Sequence, residues 1–296
     1  MLTGAKQPLL SVVCPVTAMA GRLSNLKMWL TEVLRENVEV FLIHDISDQA
    51  THLELVALVT ELNSSKLKFS QGKYQSAAAA RNSVLNMCRG TWLAFWDSDD
   101  VPMFSEVLAE LDLGFDLMIG DFEVSRPDRR RELVRKSDNY AKALSEVSFN
   151  PGIWRMVFKR DMFEALRFPE IKMGEDQDYL AQIQWKKIKV KLVTKVFYRY
   201  YDGQEFQTTA KGKSRKSLLK SLEILQYFLR EEKGDERFIR NLIARQALTL
   251  LKSEPLLIKA RTLVLLAQIS KTPFKFIEQF KSFIYLVNYL RKQKLR

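Results

Sequence analysis

The sequence predicts an α/β fold, with a mostly parallel central sheet covered by helices on both faces, followed by an α-helical extension. Three observations carry this. Through the first part of the chain, short apolar runs alternate with segments whose apolar residues recur every three or four positions. Two of the runs, Val38 to Ile43 and Thr91 to Trp96, lead directly into carboxylates. From Lys213 onward every periodic segment is helical. The expected division is a catalytic α/β domain over residues 1–206 and a basic, amphipathic helical region over 207–296.

Taken in order, Leu9 to Cys14 reads as a first strand ended by Pro15, and Leu23, Leu26, Leu30 and Leu34 mark a helix. Val38 to Ile43 is a second strand, followed by a helix carried by Leu53, Val56, Val59 and Leu62. A short strand near Leu67 to Phe69 precedes a third helix, Ser76 to Cys88, for which Gly90 is the expected stop. The run from Thr91 to Trp96 is mostly apolar, as expected of a strand buried on both faces. A helix around Phe104 to Leu111 and a strand from Leu117 to Gly120 follow. Ser125 to Lys136 is strongly charged and reads as an exposed loop or hairpin. Ile153 to Phe158 reads as a strand, Asp161 to Leu166 as a short helix, and Gly174 opens another helix. Two basic strands, Lys189 to Val193 and Lys195 to Tyr200, complete the domain.

Composition removes several kinds of chemistry. Cys14 and Cys88 are the only cysteines, which excludes a disulfide framework and a cysteine-rich zinc site. Both sit in apolar surroundings, as buried thiols of a reducing compartment do. His44 and His52 are the only histidines, so a metal would be held by oxygen ligands and would be Mg²⁺ or Mn²⁺. Met1 to Gln7 is too polar for a signal peptide, and no apolar run approaches the roughly 20 residues that span a bilayer. A cytoplasmic location is expected. The net charge of +12 is uneven: residues 207–296 hold 20 Lys/Arg against 7 Asp/Glu.

The acidic cluster Asp97-Ser98-Asp99-Asp100 is the focus of the chain. It falls where a buried strand leaves the sheet, and ligands of open α/β sheets bind outside the carboxyl ends of strands. Three like charges there call for a positive partner, and a divalent cation carrying phosphate oxygens suits them. A helix-capping turn would need only one of the three.

In chain order the sequence shows Pro15-Val16 after a strand, Asp45 at a strand end, Ala80-Arg81-Asn82 with Gly90, the Asp97-Ser98-Asp99 triplet, and Glu175-Asp176. This ordered set resembles the family 2 glycosyltransferases of GT-A fold over roughly residues 9–209. The resemblance implies a metal-dependent, inverting transfer of a sugar from a nucleoside diphosphate sugar, UDP-linked by family tendency, to a hydroxyl of a glycan or lipid-linked acceptor in surface or envelope glycan synthesis. On it, Pro15, Val16 and Thr17 wrap the nucleoside, Asp45 reads the base, and Arg81 faces the nucleotide. Asp97 and Ser98 lie against the nucleotide sugar, and Asp99 is the metal ligand. Asp176 is implied as general base with Glu175 beside it; an acidic first turn is also simply favourable for a helix. Trp154 is implied as an acceptor platform, and equally fits a core position. Gln207-Thr208-Thr209 with Lys211, Lys213, Arg215 and Lys216 resembles a loop that closes over the diphosphate.

The C-terminal helices interleave Leu, Ile and Phe with Lys and Arg. That pattern fits docking on an anionic membrane, which would make the protein peripheral on the inner face of the cell membrane, and it also fits packing on the catalytic domain. So many aliphatic residues speak against nucleic acid as the partner. Two rival readings are a haloacid-dehalogenase-like phosphatase with Asp97 as nucleophile, and a non-catalytic membrane or nucleic-acid adaptor. Three βα units precede the motif, unlike the first, and the intact acidic positions oppose the second.

Overall fold

The computed structural model describes residues 7–127, 129–203, 217–253, 255–269 and 273–294. The predicted closing loop, from Gln207 to Lys216, lies outside the described residues. The chain forms two compact units that interleave along the sequence: residues 1–135, 153–167 and 188–206 in the first, and 136–152, 168–187 and 207–296 in the second. The sequence reading instead drew a single boundary at 206.

The first unit is built on one nine-stranded mixed sheet. Its opening half follows the predicted alternation: β1 (Leu10–Val16), α1 (Ser24–Val33), β2 (Val38–Asp45), α2 (Gln49–Leu62), β3 (Leu67–Gly72), α3 (Ala77–Val84) and β4 (Trp92–Phe95). These four strands are parallel, in the order β3-β2-β1-β4. After β4 come β5 (Val101–Pro102), α4 (Phe104–Glu110), β6 (Leu117–Arg126), β7 (Arg129–Val134), β8 (Met156–Lys159), α6 (Arg160–Phe163) and β9 (Val190–Tyr201). The helix α5 (Tyr140–Phe149), which lies between β7 and β8 in sequence, belongs to the second unit. The sheet continues from β4 through β8, β6 and β9 to β5, and β7 pairs with β6 as a hairpin in the charged stretch. The core is aliphatic and aromatic, with Leu10, Val12, Val40, Leu42, Trp92 and Ala94 almost solvent-free. Both cysteines are buried free thiols, and burial pushes the Cys88 thiol up to about 12, with the Glu39 carboxylate adding to the shift.

Proline and glycine act differently from the sequence reading at three places. Pro15 does not end β1, which runs on to Val16 beside Ile43 and His44 of β2. The Val13 carbonyl accepts from Trp96 N–H on the β4 side, so the next residue of the same parity, Pro15, faces the side on which β4 has ended. Its missing N–H therefore costs no ladder bond. Gly90 is not a helix stop, because α3 has already ended in a 3₁₀ turn at Leu85–Met87. It is required by close approach: a Cβ there would lie 2.4 Å from Ser11 N. Its N–H donates to Ser11 Oγ at 2.7 Å, and Ser11 Oγ in turn donates to the buried Glu39 carboxylate at 2.6 Å. Gly120 does not end β6 either. A Cβ there would meet Phe197 at 2.2 Å, and the register of β9 on β6 shifts at this point. That irregularity sits inside one strand, β9, where the sequence suggested two.

The second unit is helical. It contains α5, α7 (Glu175–Ala181), α8 (Ser217–Arg230), α9 (Glu236–Ser253), α10 (Leu256–Ile269) and α11 (Pro273–Lys294). The sequence reading missed α5, although Asn139 caps it by accepting from Lys142 N–H at 3.1 Å. Gly234 follows α8 with φ +88°, and a Cβ there would lie 1.9 Å from the Ala181 carbonyl oxygen, so only glycine fits. Inside this unit a polar chain links three helices. Gln246 Nε2 of α9 donates to Gln177 Oε1 at 3.0 Å and to Ser221 Oγ at 2.6 Å, and Ser221 donates to Asp178 Oδ1 at 2.5 Å.

Asp178 is fully buried. Burial pushes its carboxyl well above the ordinary value, and the neighbouring Glu175 charge adds to this against the opposing Ser221 hydrogen bond. The folded chain therefore keeps a proton that the unfolded chain releases near pH 4. The resulting contribution is fullest at acid pH and declines as pH rises from about 4 toward the folded-state value. Asp178→Asn, a neutral mimic, is expected to flatten this dependence and to match or exceed the wild-type stability at about pH 8. Urea unfolding of both proteins at about pH 5 and about pH 8 measures it. Greater pH dependence in the variant would contradict the assignment.

Candidate active site

Because β1, β2 and β4 run parallel, their carboxyl ends share one edge of the sheet. Val16, Asp45 and the segment after Phe95 therefore fall together, with Pro15, Val16 and Thr17 at the end of β1. The loop beyond Thr17 has an unusual backbone: Ala18 at φ 54° and Gly21 at φ 70° are both left-handed. For alanine this costs about 1 kcal/mol. One face of α2 and its cap hold the loop. Asp48 Oδ2 accepts from Ala18 N–H at 2.6 Å, and Thr51 Oγ1 accepts from Met19 at 2.8 Å and Ala20 at 3.1 Å. The Glu54 carboxylate takes Gly21 N–H at 2.8 and 3.0 Å. Residues 48, 51 and 54 are three apart, the spacing that aligns side chains along a helix. Asp48 also caps α2, its Oδ1 accepting from Thr51 N–H at 3.3 Å. Burial alone would raise the Asp48 carboxyl, but hydrogen bonds from Thr51 and Ala18 outweigh it and hold it below the usual range.

Asp45 is similarly engaged. Its Oδ1 accepts from Ser47 N–H at 2.9 Å and Ser47 Oγ at 2.6 Å, and its Oδ2 from Tyr74 N–H at 3.2 Å and Gln75 N–H at 3.0 Å. Slight burial opposes these bonds, yet together they hold the carboxyl below the ordinary value. A carboxylate has about four lone-pair sites, and here each meets a protein donor. Asp45 thus fixes the left-handed Gln75 (φ 56°), and Ser76 directly after it caps α3 by accepting from Ala79 N–H at 3.2 Å.

That cap aims α3 and its Arg81, which is not the exposed arginine a helix surface usually carries. Arg81 is buried and its Nη2 lies 2.8 Å from Asp97 Oδ1. The Asp97 N–H donates to the Tyr198 hydroxyl at 2.9 Å. Ser98 and Asp100 are buried, and Asp100 Oδ1 accepts from Tyr201 N–H at 2.8 Å. Burial first, then the charges of Asp99 and Asp97, push the Asp100 carboxyl well above its ordinary value. Asp99 rises to about 6, through burial and then through Asp97, with Arg22 acting in the opposite direction. Both shifts come first from burial and then from the neighbouring carboxylates.

Among the described residues no three His, Cys, Asp or Glu side chains form a closed metal site. The carboxylates present suit a hard cation bound through one or two protein oxygens, with substrate phosphates supplying further ligands, as Mg²⁺ and Mn²⁺ accept. Trp154 is buried in the core of this unit, stacked on Tyr198 at 4.6 Å and Tyr200 at 5.5 Å and edge-on to Phe122 at 4.8 Å. In that position it braces Tyr198. Glu175 and Asp176 lie half-buried in the first turn of α7, in the second unit, after Gly174 at φ 97°.

Sequence reasoning missed Tyr198, Tyr201 and the Asp48–Thr51–Glu54 face. The last was readable as a three-residue spacing. Tyr198 and Tyr200 show alternation on one strand face, but nothing in the sequence tells that this face meets the acidic cluster.

A half-sheet of parallel strands with carboxylates at its carboxyl edge, continued by strands of both directions, is a GT-A fold. The sequence profile of glycosyl transferase family 2 matches residues 16–165, half of the chain, and the chain belongs to that family. EpsH of Bacillus subtilis (strain 168), described as a glycosyltransferase, is 25% identical over 182 residues, covering 56% of this chain and 52% of that protein. The match thus spans about half the length of this curated relative. In fold, the chain is similar to S. aureus TarS (residues 1–349) in complex with UDP-GlcNAc, with a TM-score of 0.65, 13% identity, and coverage of 96% and 92% of the two chains. It is also similar to the mannosyltransferase PcManGT of Pyrobaculum calidifontis in complex with GDP-Man and Mn²⁺, with a TM-score of 0.53, 14% identity, and coverage of 95% and 85%. The family assignment stands in place of the phosphatase and adaptor readings.

Thr51→Val keeps the side-chain shape but leaves the Met19 and Ala20 N–H groups without their acceptor. A loss of about 2 kcal/mol in urea unfolding is expected. Thr51→Ser, which keeps the hydroxyl, should lose less than half of that.

Proposed function

We propose that the protein moves a sugar from a nucleoside diphosphate sugar, UDP-linked in the first instance, to a hydroxyl of a glycan or lipid-linked acceptor in cell-envelope glycan synthesis. One observation carries the reading: three buried or half-buried carboxylates, Asp97, Asp99 and Asp100, lie just beyond β4 at the carboxyl edge of the parallel strands. The relatives' complexes with UDP-GlcNAc and with GDP-Man and Mn²⁺ support the donor class and the metal for this chain.

In this reading Pro15, Val16 and Thr17 border the nucleoside, and Asp45 borders the base while holding the turn beside it. Asp97, kept in place by Arg81, meets the ribose or the metal's water shell, and Ser98 lies against the donor. Asp99 ligates Mn²⁺ or Mg²⁺. When bound, the cation neutralises charge on the departing diphosphate. Asp176 takes the proton of the attacking hydroxyl, since an alcohol is a poor nucleophile until that proton leaves, and Glu175 orients the acceptor. Attack opposite the leaving group inverts the anomeric centre. Trp154, in the core behind Tyr198, serves as a brace rather than as an acceptor platform. A lipid-linked acceptor would place the enzyme at an anionic membrane surface, peripherally, on the cytoplasmic side.

Incubation with a panel of nucleotide sugars and Mn²⁺, read as released nucleoside diphosphate, tests the activity. Asp99→Ala should abolish the metal response and lower turnover at least about a hundredfold. Undiminished metal-dependent turnover would remove Asp99 as ligand. Asp176→Asn should retain donor binding, read by thermal shift, and lose turnover by about a hundredfold or more. Near-wild-type turnover in that variant would remove the base assignment.

A further inference from the structure

The last two helices are apolar on both sides. In α10, Thr262 and Leu265 are buried within the unit, while Leu256 and Leu257 are each 82% exposed and Leu263 and Val264 each 56%. In α11, Gln279, Ser282 and Leu286 are buried, and Gln279 Nε2 donates to the Arg240 carbonyl of α9 at 3.2 Å. Ile277, Phe280, Ile284 and Val287 are 50%, 56%, 48% and 39% exposed. Their spacing of three, four and three residues makes one continuous stripe along the helix. A helix that buries one face in its own unit and presents a second apolar stripe to solvent calls for a second apolar neighbour.

Charge decides between neighbours. From residue 256 to the last residue the chain carries nine Lys/Arg and one acid, Glu278. Arg261 is paired with Glu223 of α8 at 2.5 Å, and Lys281 is an exposed residue of α11. A second copy brought face to face would set this basic segment against itself. An anionic bilayer would receive the aliphatic side chains at the headgroup boundary and attract a segment of this net charge. No helix among the described residues is long and apolar enough to cross a membrane, so the contact is lateral.

We propose that the outward stripes of α10 and α11 form a docking face for an anionic lipid surface. The face recognises phospholipid headgroups by their negative charge and the acyl boundary by its apolar character. The inference stands on these two helices and deepens the acceptor reading: a docked enzyme meets a lipid-linked acceptor in two dimensions, whereas a soluble glycan would gain nothing from docking.

Co-sedimentation of the full chain with phosphatidylcholine vesicles, and with vesicles containing phosphatidylglycerol, tests the proposal. Binding to the anionic vesicles should be at least about tenfold tighter than to neutral ones and should weaken with added salt. The pairs Leu256→Ser with Leu257→Ser, and Ile284→Ser with Val287→Ser, should each weaken it about tenfold with an unchanged thermal midpoint. Absence of binding to anionic vesicles, or equal binding by both serine pairs, overturns the proposal. So does a concentration-dependent dimer in sedimentation velocity that the serine pairs dissolve while vesicle binding is absent, since a second copy would then own the stripes. Release of nucleoside diphosphate without vesicles is read separately, so a failure of docking is distinct from a failure of the donor reading.

Discussion

The ion pair between Arg81 and Asp97, 2.8 Å apart with the arginine buried, is the constraint from which the candidate site is built. The arginine is buried and the carboxylate half-buried, so each fixes where the other lies. The pair exists because of events earlier in the chain. Asp45 holds Gln75 in a left-handed turn, Ser76 caps α3, and α3 delivers Arg81 to the end of β4. The far side of Asp97 is fixed by Tyr198, a residue of the last strand, whose ring stacks on Trp154. One carboxylate thus ties the first βα units to the closing strand of the same unit.

The electrostatics follow from that arrangement. Arg81 pairs with Asp97, Tyr201 N–H donates to Asp100, and Asp99 is raised to about 6 by burial and then by Asp97. A site meant only for stability would be better served by apolar side chains of similar volume. Retaining three buried or half-buried carboxylates at a strand edge makes physical sense where a cation and phosphate oxygens complete them.

The fold was legible where periodicity is strong. Apolar residues at strand and helix spacing marked β1 to β4 and α1 to α3, and the basic C-terminal third read as helical because three-to-four spacing recurs between the breaks at Gly234, Pro255 and Pro273. It was less legible where a residue's part is set by a distant neighbour. Pro15 and Gly90 are local stop signals by propensity, but β4's short length accommodates the first and Ser11's approach demands the second. The register shift opposite Gly120 hid one strand as two. The acidic cluster and Asp45 stood out in the sequence because carboxylates after apolar runs are unusual there. Tyr198 did not, because its value lies in a hydrogen bond to a backbone N–H about a hundred residues away.

The loop after β1 has a consequence for how phosphate can be bound. In dinucleotide-binding α/β folds, the backbone N–H groups of this first turn and the helix after it cradle the pyrophosphate. Here the N–H groups of residues 18 to 21 already donate to Asp48, Thr51 and Glu54, two of which are carboxylates. The turn that elsewhere is an anion receptor has become anion-filled from within. That electropositive turn is spent on the protein's own side chains.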